Sequence, residues 1–215
     1  MSDKDNIRRL LEASDFASLL AAGSLPRLFR ALISLAFDKQ DIICWRAIEA
    51  VGRVAGDACR TEPERVRTQV QRLLWMMRDE SGNNVSAAPE MLGEIVGNAP
   101  EAFSDIAPII ASFHDEEGLR RGVFYGVLKI AEKAPDLARS SSFLCAEYIG
   151  DPDPAVQAYA VLLAGALALK DCLPAIKALT NDARVVRLYR EGHFRDETLG
   201  GIARETVILL NQDKG

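Results

Sequence analysis

At 215 residues, with 48% hydrophobic and 27% charged residues, the chain has the make-up of an ordinary folded protein, which excludes wholesale disorder. Its formal net charge of -5 argues against binding along a phosphate backbone, which needs clustered Lys and Arg. The densest basic spots, Arg65-Val66-Arg67, Arg120-Arg121 and the stretch from Arg184 to Arg190, all have acids within a turn or two, so no nucleic-acid partner is expected.

The polar start, Met1 to Asp5, reads as no secretory signal. Asn6 to Ala13 and Asp15 to Ala22 have helical apolar spacing, with Ser14-Asp15 as a cap and Gly23 as a stop. Ser24 caps Leu25 to Phe37, with Pro26 in the first turn, and Asp38 to Ala55 is the next helix. Thr61, ahead of Pro63, caps a helix running to about Arg78. The polar loop from Asp79 to Asn84 leads into a helix from Ala87 to Gly97. Pro100 opens a helix through Ile106 to Phe113, and Leu119 to Lys133 returns from it. Pro135 opens another that ends near Gly150, and Asp153-Pro154 launches the apolar helix Ala155 to Leu169. That apolar run is too short to span a bilayer, so no membrane is expected. Cys172 to Leu179 packs back on it. Val185 to Arg190, Glu191-Gly192 and His193 to Arg195 form a two-residue hairpin signal, expected to lie against a last helix from Thr198 to Leu210.

Three of these helices can be overlaid. Shifting Trp45–Ala55 by 41 places puts Glu49 on Glu90 and Gly52 on Gly93; a further shift of 35 puts Ile95 on Ile130 and Ala99-Pro100-Glu101 on Ala134-Pro135-Asp136. Helical units repeating at 35 to 41 residues with short connections predict an all-α fold, an α-solenoid of antiparallel helix pairs with a short β-hairpin near the C-terminus. The expectation is one domain over 1–215: capping helices in 1–23, helical repeats in 24–182, and the hairpin with a capping helix in 183–215.

The pairs around Trp45 to Ala55 and Asp153 to Leu169, and the closing segment Asp196 to Glu205, resemble HEAT-like repeats of the phycobilisome-lyase type over most of residues 24 to 210. Trp75 to Glu94, with Arg78-Asp79-Glu80-Ser81-Gly82 and Ala88-Pro89-Glu90, is similar to bacterial HEAT-like proteins of unassigned function. The resemblance implies the fold. For function it implies a scaffold or adaptor or, alternatively, a lyase-like protein that assists attachment of a prosthetic group to a partner.

A solenoid works by presenting a surface, so the first expectation is a cytoplasmic protein that binds a protein or peptide along its concave face. Equivalent positions of the second helices form stripes: Trp45, Ser86 and Arg121; Glu49, Glu90 and Tyr125; Arg53, Glu94 and Lys129. Trp, Tyr and Arg are the residues that dominate interfaces, which makes Trp45, Glu49, Arg53, Glu90, Arg121 and Tyr125 the candidate partner-binding set. The alternative is that Trp45 packs at a helix end while the charges solvate a face. The polar loop with Arg78, Asp79, Glu80 and Asn83 has oxygen ligands for a hard cation but lacks calcium-loop spacing, and turn and capping work accounts for it as well.

Catalysis has little support. His114 stands near Asp115, Glu116 and Glu117 with no nucleophile named, and reads as a solvated loop. His193 fares no better, Ser140-Ser141-Ser142 lies in no nucleophile elbow, and no Gly-rich phosphate loop occurs. The four cysteines, Cys44, Cys59, Cys145 and Cys172, form no CxxC pair, and with two histidines give no zinc spacing. Three of the four sit in apolar helical patterns and read as small buried hydrophobes, which suits a reduced compartment. No catalytic residue, cofactor or metal is expected, and a DNA-glycosylase-like solenoid would need a basic groove that the mixed stripes do not supply.

Overall fold

Helices begin where the side chains can cap them. In the computed structural model, which describes residues 3–78 and 87–212, Asp15, Asp41, Asp153 and Thr198 each accept a backbone N–H of the first turn that follows. The chain is mostly helical. In order come α1 (Asp3–Glu12), α2 (Phe16–Leu20), α3 (Leu25–Leu35), α4 (Ile42–Ala58), α5 (Pro63–Met77), α6 (Ala88–Asn98), α7 (Pro100–Phe103), α8 (Ala107–Ala111) and α9 (Glu117–Lys133). After them come α10 (Pro135–Ala138), α11 (Phe143–Tyr148), α12 (Pro154–Ala166), α13 (Leu173–Ala178), the strands β1 (Val185–Arg190) and β2 (His193–Thr198), and α14 (Leu199–Asn211).

Several boundaries differ from the sequence reading. The helix expected from Pro100 to Phe113 is interrupted by a 3-10 turn at Ser104–Ile106, because Pro108 has no N–H to donate to the Ser104 carbonyl. The helix expected after Pro135 is likewise broken, by a 3-10 turn at Arg139–Ser141. Thr61 is not the cap of α5; Glu62 holds that position without a side-chain bond. Helix α12 stops at Ala166 rather than Leu169. Its end is a Schellman arrangement, with Leu169 N–H on Ala164 O, Ala168 N–H on Gly165 O, and Ala168 at φ 55.

Helices α4, α6, α9, α12 and α14 each pack on the next, while α3, α5, α8, α11 and α13 pack on α4, α6, α9, α12 and α14 in turn. Where α4, α6 and α9 meet, backbones touch. A Cβ on Gly52 would lie 2.6 Å from Glu94 O, one on Gly126 2.6 Å from Pro89 O, and one on Gly93 would collide with Gly126 Cα. These contacts demand glycine, and they bring the side chains that flank them into one crowded layer. The core runs through that layer: Phe29, Ile48, Leu73, Met91, Leu92, Ile95, Phe124 and Leu163 are at or near zero exposure.

The strands form an antiparallel hairpin with Val185 opposite Thr198 and Arg190 opposite His193. Glu191 and Gly192 turn with φ 52 and 82, the pattern of a two-residue type I′ connection. The hairpin touches α14 through β2, as expected, but β1 also lies on α12, and Tyr189 reaches across to α4.

Candidate functional site

Close packing of α4, α6 and α9 leaves their polar positions facing the hairpin. Trp45, on α4, donates from Nε1 to Lys39 O at 2.9 Å, which fixes the indole in one orientation. Tyr189 of β1 stacks on it with centroids 5.6 Å apart and planes 16° apart, and Tyr125 of α9 tilts against its other side at 5.2 Å. Tyr159 of α12 meets Tyr125 edge-on at 6.1 Å, and Phe194 meets Tyr189 at 6.4 Å. An aromatic row thus crosses five elements, α4, α9, α12, β1 and β2.

Carboxylates flank that row. Glu49 accepts from Arg53 Nη2 at 2.7 Å and from Tyr189 Oη at 2.6 Å, tying residues 140 apart in sequence. Glu94 is 3% exposed and accepts from Tyr125 Oη at 2.8 Å, with Lys133 Nζ at 4.0 Å. Burial raises the Glu94 carboxyl above its usual range, against the pull of Lys129 and Lys133. Burial first, then the charge of Glu94, pushes the Tyr125 phenol well above its own. Glu90 is 1% exposed, pairs with Lys39 through Oε1, and has no hydrogen-bond partner on Oε2 among the described residues. Arg121 pairs with Asp153, the residue that caps α12.

Two clefts open on this layer. The larger, about 750 Å³, is bounded by Glu49, Arg53, Glu94, Tyr125, Lys129 and the turn of the hairpin. The smaller, about 280 Å³, is lined by Trp45, Glu90, Arg121, Asp153, Tyr159 and β1 from Val185 to Leu188. All six candidate partner-binding residues therefore line one cleft or the other. Three of them are not the exposed groups that the stripes suggested: Trp45 and Tyr125 are buried because the hairpin and α12 pack over them, and Glu90 because Lys39 and Gly122 close around its carboxylate. Glu49 is half-buried, while Arg53 and Arg121 are exposed.

Of the polar loop, Asp79, Glu80 and Asn83 lie outside the described residues, as does Ser86 of the first stripe; Arg78 ends α5 as its C-cap. Lys39, Tyr159 and Tyr189 were not singled out by sequence. Strand alternation puts Tyr189 on the face of the exposed Val185 and Arg187, opposite Val186 and Leu188, so the pattern gave no signal for its burial; Lys39 had none either.

Elsewhere, His114 Nδ1 lies 2.8 Å from Tyr148 Oη and 3.3 Å from Asp115 Oδ1, and Glu147 of α11 brings a third ligand atom within 4.8 Å of the others. The carboxylate that joins His114 and Asp115 is thus Glu147, not the adjacent Glu116 or Glu117. This solvent-facing trio is the group best suited to a metal ion among the described residues. Cys44 and Cys145 are buried, and burial pushes both thiols up to about 12, which leaves them inert at neutral pH. Among the described residues no helix is long and apolar enough to cross a membrane.

No known family's sequence profile matches the chain, and no solved structure matches it significantly. A stretch of 106 residues is 31% identical to an uncharacterized protein of Archaeoglobus fulgidus, covering 49% of this chain and 55% of that protein. The match spans about half the length of that relative and carries no activity with it.

Proposed function

We propose that the protein is a non-catalytic, HEAT-like solenoid module that holds an extended segment of a partner protein in the trough formed by α4, α6, α9 and the hairpin. The observation that supports this is the convergence of Trp45, Glu49, Arg53, Glu90, Arg121 and Tyr125 on two neighbouring clefts separated by the Trp45–Tyr189 stack. Rigid aromatics at the divide supply shape, while the charged walls supply register and specificity. The larger cleft carries both signs, from Arg46, Arg53, Lys129 and Lys133 on one hand and Glu49, Glu94 and Glu132 on the other. A lining so charged suits a polar peptide better than the flat apolar face of a tetrapyrrole.

The test is selection from a displayed library of short peptides, followed by affinity measurement on the peptides recovered. Reversing two cleft charges together, Arg53→Glu with Lys129→Glu, is expected to weaken binding at least about tenfold, as lost charged contacts do, without lowering Tm appreciably. An unchanged peptide profile in the double variant would overturn the reading. Stoichiometric binding of haem or a bilin, with no peptide recovered, would reverse it in favour of the prosthetic-group role.

A further inference from the structure

We propose that the smaller cleft is a receptor for an alkylammonium or guanidinium group, borne by a lysine or arginine side chain of the bound segment or by a free amine. The reading deepens the peptide-binding function and rests on it for the peptide as carrier. The site itself stands on the geometry around Glu90. Its carboxylate is 1% exposed, and a buried carboxylate oxygen without a hydrogen bond is costly; Oε2 is such an oxygen, while Lys39 holds Oε1. The oxygen needs an N–H or O–H donor.

Space for the carboxylate is built in. Gly122 lies against it, and a Cβ there would collide with both carboxylate oxygens, so the glycine keeps Glu90 seated at the edge of the cleft. The walls then select the kind of donor. Trp45 and Tyr159 line the cleft with little of their rings exposed, and Val186, Leu188 and Pro154 add apolar contact for an aliphatic stem. Asp153, at the same cleft, accepts from Arg121 and adds a second carboxylate near the entrance. The charge of Glu90 reaches the facing wall: it is the first charge, after burial itself, to push the Tyr159 phenol above its usual range. The cleft also carries Lys39, Arg121 and Arg187, but Lys39 is held by Glu90 and Arg121 by Asp153. The open oxygen of Glu90 at the end of an apolar wall then fits the head of a long amine or guanidine.

Titration of Trp75→Phe protein, in which the exposed Trp75 is removed and Trp45 reports, reads the site directly. The probes are 1,5-diaminopentane, agmatine, hexanoate, and acetylated, amidated tripeptides of the form Gly-X-Gly with X as Lys, Arg or norleucine. The expected result is saturable quenching by the amines and by the Lys or Arg peptides, with Kd below about 1 mM, and none by hexanoate or the norleucine peptide. Glu90→Gln, which preserves shape, should weaken amine binding about tenfold or more. If that variant does not fold, Lys39→Met serves instead, since releasing Oε1 should tighten amine binding. Equal amine affinity in the variant and the parent, or preference for hexanoate, would overturn the site. Glu90-dependent binding of free amines without binding of the Lys and Arg peptides would keep the site, assign it to a small amine, and count against the peptide reading alone.

Discussion

Glu94 concentrates the residue-scale chemistry of the larger cleft. Its ordinary value is 4.5, and in the folded protein burial lifts it, so the native state holds a proton over a range where the unfolded chain has lost it. Stability associated with that proton is fully present below 4.5 and is lost as pH rises through the higher, folded value. Glu94→Gln keeps an acceptor for Tyr125 Oη and removes the titration. Its Tm is expected to exceed that of the parent by a few degrees at about pH 8 and to converge with it below about pH 4, followed by calorimetry across the range. Parallel Tm curves would mean that the carboxyl does not titrate between those limits. The tyrosines beside it stay protonated throughout, because burial raises both Tyr125 and Tyr189 and each donates to a carboxylate.

Among the elements, the end of α12 carries a local cost. Ala168 takes the left-handed conformation at φ 55 to complete the Schellman bonds, and a Cβ there meets the following carbonyl. Ala168→Gly is expected to stabilise the fold by about 1 kcal/mol, or a Tm rise of about 2–4 °C, measured by thermal melting. A lower Tm would show that the helix end depends on the methyl group. The hairpin shows the opposite economy, since Glu191 and Gly192 adopt the turn that a right-twisted pair of strands requires. Its Arg187–Asp196 pair, bonded at 2.7 and 2.8 Å, is half-exposed and contributes little beyond register. What holds the hairpin down is the burial of Val186, Leu188 and Tyr189 against the helices.

At the scale of the whole molecule, α4, α6 and α9 are held by contacts in which backbone meets backbone. Gly126 sits at the centre, with Pro89 O 2.6 Å from where a Cβ would go. Gly126→Ala should force α9 away from α6 and destabilise the protein by about 1–3 kcal/mol, the usual range for overpacking, read by urea denaturation. Because both clefts depend on that spacing, peptide affinity should fall with stability; full stability together with full affinity would show that the two helices can part without consequence.

Local chemistry was legible in the sequence. Aspartates and prolines placed the starts of α2, α6 and α12, and the alternation around Glu191-Gly192 placed the hairpin turn, because caps and turns are satisfied within a few residues. Helix α4 was expected from Asp38, four residues ahead of its first residue Ile42, which Asp41 caps. The overlay also placed Glu49, Glu90 and Tyr125 on comparable positions of α4, α6 and α9, and the helices do pack in that order. Helical periodicity assigns one face to the core and leaves the other to solvent. It has no means of showing that a strand more than sixty residues downstream will cover the second face. Tertiary structure decided that Trp45 and Tyr125 are covered, that Glu90 and Glu94 lose their water, and that one surface becomes two clefts. The deciding contacts, Tyr189 on Trp45 and Glu49 and the glycine-to-glycine approach of α6 and α9, join residues far apart in the chain.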